Sequence, residues 1–404
     1  MIAQEYKKML GAKSVIREMF TYGTERAKEI GKENVFDYSL GNPSVPVPEK
    51  FTKKMIELLE TESPVALHGY SPSLGIDSVR EAVAVSLEKR FGLPYKKEHI
   101  FMCSGAAAAL AHAFRAVTVP GDSILTFAPF FPEYNPYVNL TGAKLKVVPP
   151  DLKGFQIDFK KFETMLTNDV TAVLINTPNN PSGIVYTTDT VRELARIMEK
   201  KAAEYGHEIY LISDEPYREL AYDKTEVPYL TKYYDNTVVG YSFSKSLSLP
   251  GERIGYLVIP DEAADSEMLI RAANVATRIL GFVNAPTLQQ KLVKYCLEEK
   301  TDISYYDRNR EVLYQGLRNL GFSCIKPEGA FYLFMKSPVA DEKQFCEAAK
   351  KYHILIVPGS SFACPGYVRL AYCVSYETII NSLPEFAKLA AEYKEGKDES
   401  GNFR

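Results

Sequence analysis

Residues 170–183 run VTAVLINTPNNPSG. The opening six are almost wholly apolar and rich in β-branched side chains, and a loop of Pro and Asn follows at once. Beyond the loop, Val191, Leu194, Ala195 and Met198 recur at helical spacing, behind Thr and Asp residues suited to capping. A strand apolar on both faces, followed by a crossover helix, is the repeating unit of a parallel sheet covered on both sides. Short apolar runs at 123–126, 145–148, 209–213, 238–241 and 254–259 have the same texture. Together they predict one large α/β domain over 48–285, built on a mostly parallel sheet covered by helices.

Past residue 288 the texture changes. A helical pattern over 290–320 precedes strand-like runs at 331–334 and 368–372, with helices between and after. This predicts a smaller α+β domain over 286–404, which residues 1–47 join. The polar tail from Lys394 is expected to fray.

The 404 residues carry 48 Lys+Arg against 51 Asp+Glu, a net charge of −3, so no basic field recruits nucleic acid or an anionic membrane. No apolar run approaches the roughly 18–20 residues of a membrane span. Residues 1–11 are polar and charged rather than a secretory leader, and a cytoplasmic protein is expected. The six cysteines form no C-x-x-C pair and the five histidines no H-x-x-x-H pair. Buried reduced thiols are therefore expected, and a metal centre is not.

Four segments carry chemistry. Ser242-Phe243-Ser244-Lys245 leaves a core strand at its C-terminal end, where α/β enzymes place their reactive groups, and Arg253 stands eight residues on. Desolvation and a nearby cation both lower an ammonium pKa and free the amine for a Schiff base. Alone, this segment reads more readily as a solvated loop. Upstream, Asp214 ends another strand in Ser213-Asp214-Glu215-Pro216-Tyr217. A carboxylate there can keep a pyridine nitrogen protonated, and Tyr217 can donate to a ring phenolate; alone, Asp214 is as well read as a helix cap. Asn180, in Asn176-Thr177-Pro178-Asn179-Asn180-Pro181-Ser182-Gly183, offers its amide to the same oxygen from what is otherwise a turn. Ser104-Gly105-Ala106 opens an Ala-rich helix whose small residues let backbone N–H groups close on a phosphate; the bland reading is a tightly packed helix.

Along the chain they run Ser104-Gly105-Ala106, then Asn180, then Asp214 with Tyr217, then Lys245 with Arg253. In that order the four segments resemble the class I aminotransferases, fold-type-I pyridoxal phosphate enzymes, over nearly the whole length. The resemblance implies a seven-stranded-type sheet in the large domain and pyridoxal 5'-phosphate as cofactor. It implies Lys245 as the Schiff-base lysine, Asp214 on the pyridine nitrogen, and Tyr217 and Asn180 on the ring oxygen. Phe131 matches the aromatic position stacked on the ring. Ser104, Gly105, Ala106, Ser242, Ser244 and Arg253 match the phosphate cup. Gly41, in Gly41-Asn42-Pro43, resembles the segment that closes over the substrate carboxylate, and Asn180 faces substrate as well. Arg369, in Tyr367-Val368-Arg369-Leu370, resembles the carboxylate-binding arginine. A planar guanidinium matches a carboxylate with two parallel bonds, which a lysine cannot do.

The implied reaction is transamination between an L-amino acid and a 2-oxo acid, with aspartate or glutamate as the default. A pyridoxal phosphate-dependent Cβ–S lyase is the alternative within the same chemistry, and a cofactor-fold binding or regulatory protein the non-enzymatic one. The residue after Gly105 is Ala106 rather than lysine, which removes one source of a distal cation. Arg17, in Ser14-Val15-Ile16-Arg17, is the candidate for that role, against a charge on an exposed helix face. Tyr70, in His68-Gly69-Tyr70-Ser71-Pro72, resembles the tyrosine that reaches the neighbouring subunit's phosphate. A homodimer with shared active sites is implied, with Asn284 a second residue suited to contribute across the interface.

Overall fold

The computed structural model describes residues 2, 4–11 and 15–393; Ser14 and the tail from Lys394 lie outside them. Seven strands form the central sheet, in the order Ile100–Cys103, Gly255–Val258, Thr237–Ser242, Tyr210–Asp214, Val170–Asn176, Ser123–Phe127, Lys144–Val148. Neighbours run parallel except around Gly255–Val258, which is antiparallel to both strands flanking it. Register fixes what the sheet presents at one end. Asn176 pairs with Asp214, Asp214 with Gly240, and Ser242 with Gly255. The C-terminal ends of three adjacent strands thus open into one crevice, where α/β sheets bind their ligands.

The expected crossover helix is Thr188–Tyr205. Thr187 caps it by accepting from the Thr190 N–H, and Gly206 ends it in the left-handed conformation. Val191, Leu194, Ala195 and Met198 are all buried. They share an apolar core with Val173 and Leu211 of the sheet, and each side chain of Val or Leu size stabilises the fold by about 1.5–3 kcal/mol.

Two expectations change. The continuous pattern over 290–320 is two helices, Thr287–Lys294 and Ile303–Asn319, because Asp302 accepts from the Ser304 N–H at 3.0 Å and starts the second. In the first, Leu292 and Val293 pack with Val83 and Leu87 of the helix Asp77–Phe91. The strand Ile100–Cys103, unread in the sequence, closes one edge of the sheet; its four buried residues are too few for periodicity to declare.

The smaller domain is α+β. Its antiparallel sheet runs Val357–Pro358, Tyr367–Ala371, Tyr332–Lys336, with Ile303–Asn319, Glu342–Lys350 and Tyr376–Ala391 as its helices. From the N-terminal segment, Phe36–Asp37 pairs in parallel with Ile354–Leu355. Phe36 and Tyr38 enter the same core as Tyr306, Phe322, Phe345 and Phe386. No helix among the described residues is long and apolar enough to cross a membrane.

Candidate active site

A cavity of about 340 Å³ sits where the strand ends meet the smaller domain. Asp214 forms its floor. The carboxylate is buried, and its Oδ2 accepts from the Tyr134 hydroxyl at 2.5 Å and from the Asn176 amide at 3.4 Å. Its Oδ1 is buried without a hydrogen-bond partner. Desolvation pushes the carboxyl up to about 7; the Tyr134 bond opposes that rise and the Glu215 charge adds to it. A buried acceptor left open is expensive unless a ligand completes it.

Lys245 lies in the short helix Phe243–Ser246, where Ser242 accepts from the Ser244 N–H. Its Nζ donates to the Gly41 carbonyl at 2.8 Å and lies 5.3 Å from the Phe331 ring centre. Burial lowers its pKa to about 8, with Arg253 and Arg369 repelling the proton further. Beside it, the Ser242 and Ser244 hydroxyls bond at 2.7 Å. Arg253, held at φ +50°, donates to the Pro250 carbonyl at 3.0 Å and to the Ser104 carbonyl at 3.4 Å. Gly105 is required here. Its φ is +82°, and a Cβ on it would lie 2.6 Å from an Arg253 nitrogen. The helix Ala106–Val117 begins next to this group, and Ala106 and Ala107 line the cavity.

Arg369 enters from the opposite wall. It is 2% exposed, and no carboxylate among the described residues neutralises it. Its guanidinium donates to the Asn180 side-chain oxygen at 3.1 Å and to the Ser39 carbonyl, while its Nε is unpartnered. Tyr332 and Phe362 flank the guanidinium carbon at 4.6 and 4.8 Å from their ring centres. Tyr217 meets the Tyr332 hydroxyl at 3.0 Å.

The structure thus brings together Gly41, Ala106, Phe131, Asn180, Asp214, Tyr217, Ser242, Ser244, Lys245, Arg253 and Arg369 around one cavity. Ser104 and Gly105 stand behind Arg253. Arg17 is exposed and does not line the cavity, but its charge acts on Tyr137, which does, and its neighbour Ile16 is part of the lining. Tyr70 is 90% exposed and away from its own chain's cavity. Asn284 donates to the Ser71 hydroxyl at 2.9 Å and so braces the Tyr70 segment. Sequence reasoning missed Tyr134, Tyr137, Asn176 and Tyr332. Asn176 carried a usable signal, standing opposite Asp214 at the end of its strand. Its side chain bonds the Asp214 carbonyl at 2.9 Å and accepts from the Asn180 N–H at 2.8 Å.

A larger cavity, of about 440 Å³, lies between the helix Asp77–Phe91 and residues 296–303. Its arginines are already paired, Arg90 with Glu219 and Arg218 with Glu215. The unpartnered Asp214 Oδ1 and Arg369 Nε belong to residues lining the smaller one, whereas the larger is lined by Glu219, whose Oε2 is unpartnered.

The family model described as aminotransferase class I and II matches residues 33–383. The chain belongs to this family. An aspartate aminotransferase of Thermotoga maritima is 30% identical over 355 residues, 87% of this chain and 90% of that protein. An aromatic-amino-acid aminotransferase 2 of Thermococcus litoralis is 29% identical, covering 90% and 94%. Among solved structures, an amino transferase from Eubacterium rectale matches at a TM-score of 0.95 with 47% identity, over 97% of this chain and 99% of that one. The Thermus thermophilus aspartate aminotransferase with maleate matches at 0.83 with 27% identity, over 93% and 97%. This aminotransferase moves an amino group from an amino acid to a 2-oxo acid, and that reading holds over the Cβ–S lyase.

Proposed function

We propose that this aminotransferase works with pyridoxal 5'-phosphate held in the 340 Å³ cavity. The observation that carries the proposal is Asp214, a buried carboxylate whose Oδ1 lacks a partner and whose pKa burial raises. A protonated pyridine nitrogen is the group such an oxygen suits. Asn180 and Tyr217 would take the ring oxygen, Phe131 the ring face, and Ser104, Gly105, Ala106, Ser242, Ser244 and Arg253 the phosphate. When bound, the cofactor supplies an aldehyde that takes up amines and a ring that draws electrons from the adjoining carbon.

The chain's own groups do the rest. Lys245, its pKa lowered to about 8, has an amine that can hold the cofactor and then take the proton at the substrate's α-carbon. Arg369, charged and unneutralised, binds the α-carboxylate, and the Gly41 segment beside Lys245 closes over it.

Aspartate or glutamate is the default amino donor, in keeping with the names of several relatives. The lining supports a second reading, an aromatic or aliphatic donor, because Ile16, Leu40 and Tyr137 add apolar surface to the same cavity. The enzyme is proposed to act as a cytoplasmic homodimer. Exposed Tyr70, Val65, Ile279 and Val283 offer apolar surface for a second copy, and its six free thiols suit a reducing compartment. We propose the domain division 48–285 against 1–47 with 286–404, the helix Thr287–Lys294 being carried on the large side.

The test is to load the protein with pyridoxal 5'-phosphate and offer aspartate, glutamate, phenylalanine, tyrosine and alanine. Formation of the 2-oxo acid with conversion to pyridoxamine phosphate is expected, and the ranking selects the donor class. Absence of cofactor uptake, or of conversion with every donor, refutes the proposal.

A further inference from the structure

Tyr332 opens the strand Tyr332–Lys336, which pairs with the strand bearing Arg369. Its ring lies beneath the Arg369 guanidinium, and its hydroxyl is 3.0 Å from that of Tyr217. The two rings meet edge to face with centres 5.8 Å apart. A Cβ at Gly41 would lie 1.9 Å from the Tyr332 hydroxyl, so the Gly41 backbone walls its remaining side. The residue is buried. A tyrosine needed only to fill this space would not require its hydroxyl.

Two hydroxyls at that distance share one hydrogen bond, in which one donates and the other accepts. Tyr217 can give its proton to a ring oxygen only while accepting from Tyr332. Accepting a bond also strengthens a hydroxyl as a donor, because bonds in a chain polarise one another. Burial raises both phenols, Tyr332 to about 12, but the Arg369 cation and the Tyr217 bond oppose the rise at Tyr332. Tyr332 is thereby favoured as the donor of the pair.

We propose that Tyr332 is a positioning residue, which turns the Tyr217 proton toward the cofactor's ring oxygen and does so beneath the charge of Arg369. The inference rests on the pyridoxal phosphate reading given above. Its readout is the pH midpoint of the visible absorbance of the loaded enzyme, which reports the proton shared between the lysine nitrogen and the ring oxygen. Loss of a donor makes that oxygen more basic, so the midpoint moves to higher pH.

Tyr332→Phe is expected to raise the midpoint by about 0.1–0.3 pH unit, because Tyr217 still donates to the oxygen and loses only the polarisation that Tyr332 lends it. Tyr217→Phe is expected to raise it further. The double variant is expected to match Tyr217→Phe alone, because Tyr332 acts only through Tyr217. Tyr332→Leu, which also lacks a donor, is expected to shift the same way and serves if the Phe variant does not fold. An unmoved midpoint in the Tyr332 variant, or additive shifts in the double variant, overturns the proposal. A wild-type protein that develops no visible band with pyridoxal 5'-phosphate refutes instead the cofactor reading beneath it.

Discussion

Replacing Asp214 by Asn should make the cofactor-free enzyme more stable and the loaded enzyme nearly inert. The side chain keeps its size, and the Asn oxygen can still accept from Tyr134, which bonds Oδ2 at 2.5 Å. Its amide then occupies the position of the unpartnered Oδ1. Burial raises the Asp214 carboxyl from an ordinary 3.8 to about 7, and at about 1.4 kcal/mol per pH unit its ionised form costs the cofactor-free fold about 4 kcal/mol. The sign follows from proton counts. Between pH 3.8 and 7 the folded chain holds a proton that the unfolded chain has lost, so this group's contribution falls as pH rises through that window. Asparagine carries no such penalty. Urea unfolding of the cofactor-free proteins should therefore favour Asp214→Asn by about 4 kcal/mol at pH 8 and by less than about 2 at pH 5. A stabilising substitution that empties a catalytic site is a known trade. With cofactor, the variant presents an amide where a carboxylate should pair with the ring nitrogen, and losing one member of a buried pair costs about 3–5 kcal/mol, or two to four orders of magnitude in turnover. Equal or lower stability than wild type at pH 8 would refute the burial argument, and turnover within tenfold of wild type would refute the role of the carboxylate.

Further outcomes test the other walls. Lys245→Ala should bind cofactor without its visible band and lose almost all turnover, and a variant with normal turnover removes Lys245 from the mechanism. In the wild type, capture of pyridoxal 5'-phosphate should speed up about tenfold per pH unit and level off near pH 8, where burial sets the amine; a rise continuing to pH 10 means an ordinary lysine. Arg369→Lys should raise KM for every amino donor by about ten- to a hundredfold, the worth of one charge-assisted hydrogen bond, and an unchanged KM contradicts the carboxylate clamp. Lys245→Ala and Tyr70→Ala, each inactive alone, should recover activity when co-refolded. A hybrid dimer then gathers both lesions in one site, and no recovery means that Tyr70 serves its own subunit.

The segments read from sequence share a physical character. Asp214 ends a core strand, and Asn180 and Lys245 follow theirs within a few residues, so the end of an apolar run marks the crevice before any coordinates do. Tyr134 and Tyr332 have no such marker. Tyr134 reaches Asp214 across 80 positions and Tyr217 reaches Tyr332 across 115, and tyrosine occurs 27 times in the chain. Only the pairing of distant segments singles them out. Arg17 and Ile16 show the complementary difficulty. The segment that approaches the cavity was legible, but which of two adjacent side chains turns inward depends on how its helix rolls against the smaller domain. The break over 295–302 was hidden for a related reason, since apolar Cys296 and Leu297 continue the stripe across the gap between two helices.

The parallel pairing of Phe36–Asp37 with Ile354–Leu355 sets a schedule for biosynthesis. The two partners are separated by some three hundred residues, so at about 5–20 residues per second the N-terminal strand emerges from the ribosome roughly 15–60 s before its mate exists. The seven-stranded sheet, complete by Val258, needs nothing from beyond that point for its own ladder. A nascent chain can therefore hold a finished large sheet while Phe36 and Tyr38, fully committed to the later core, remain exposed. That interval is when a chaperone has most to shield.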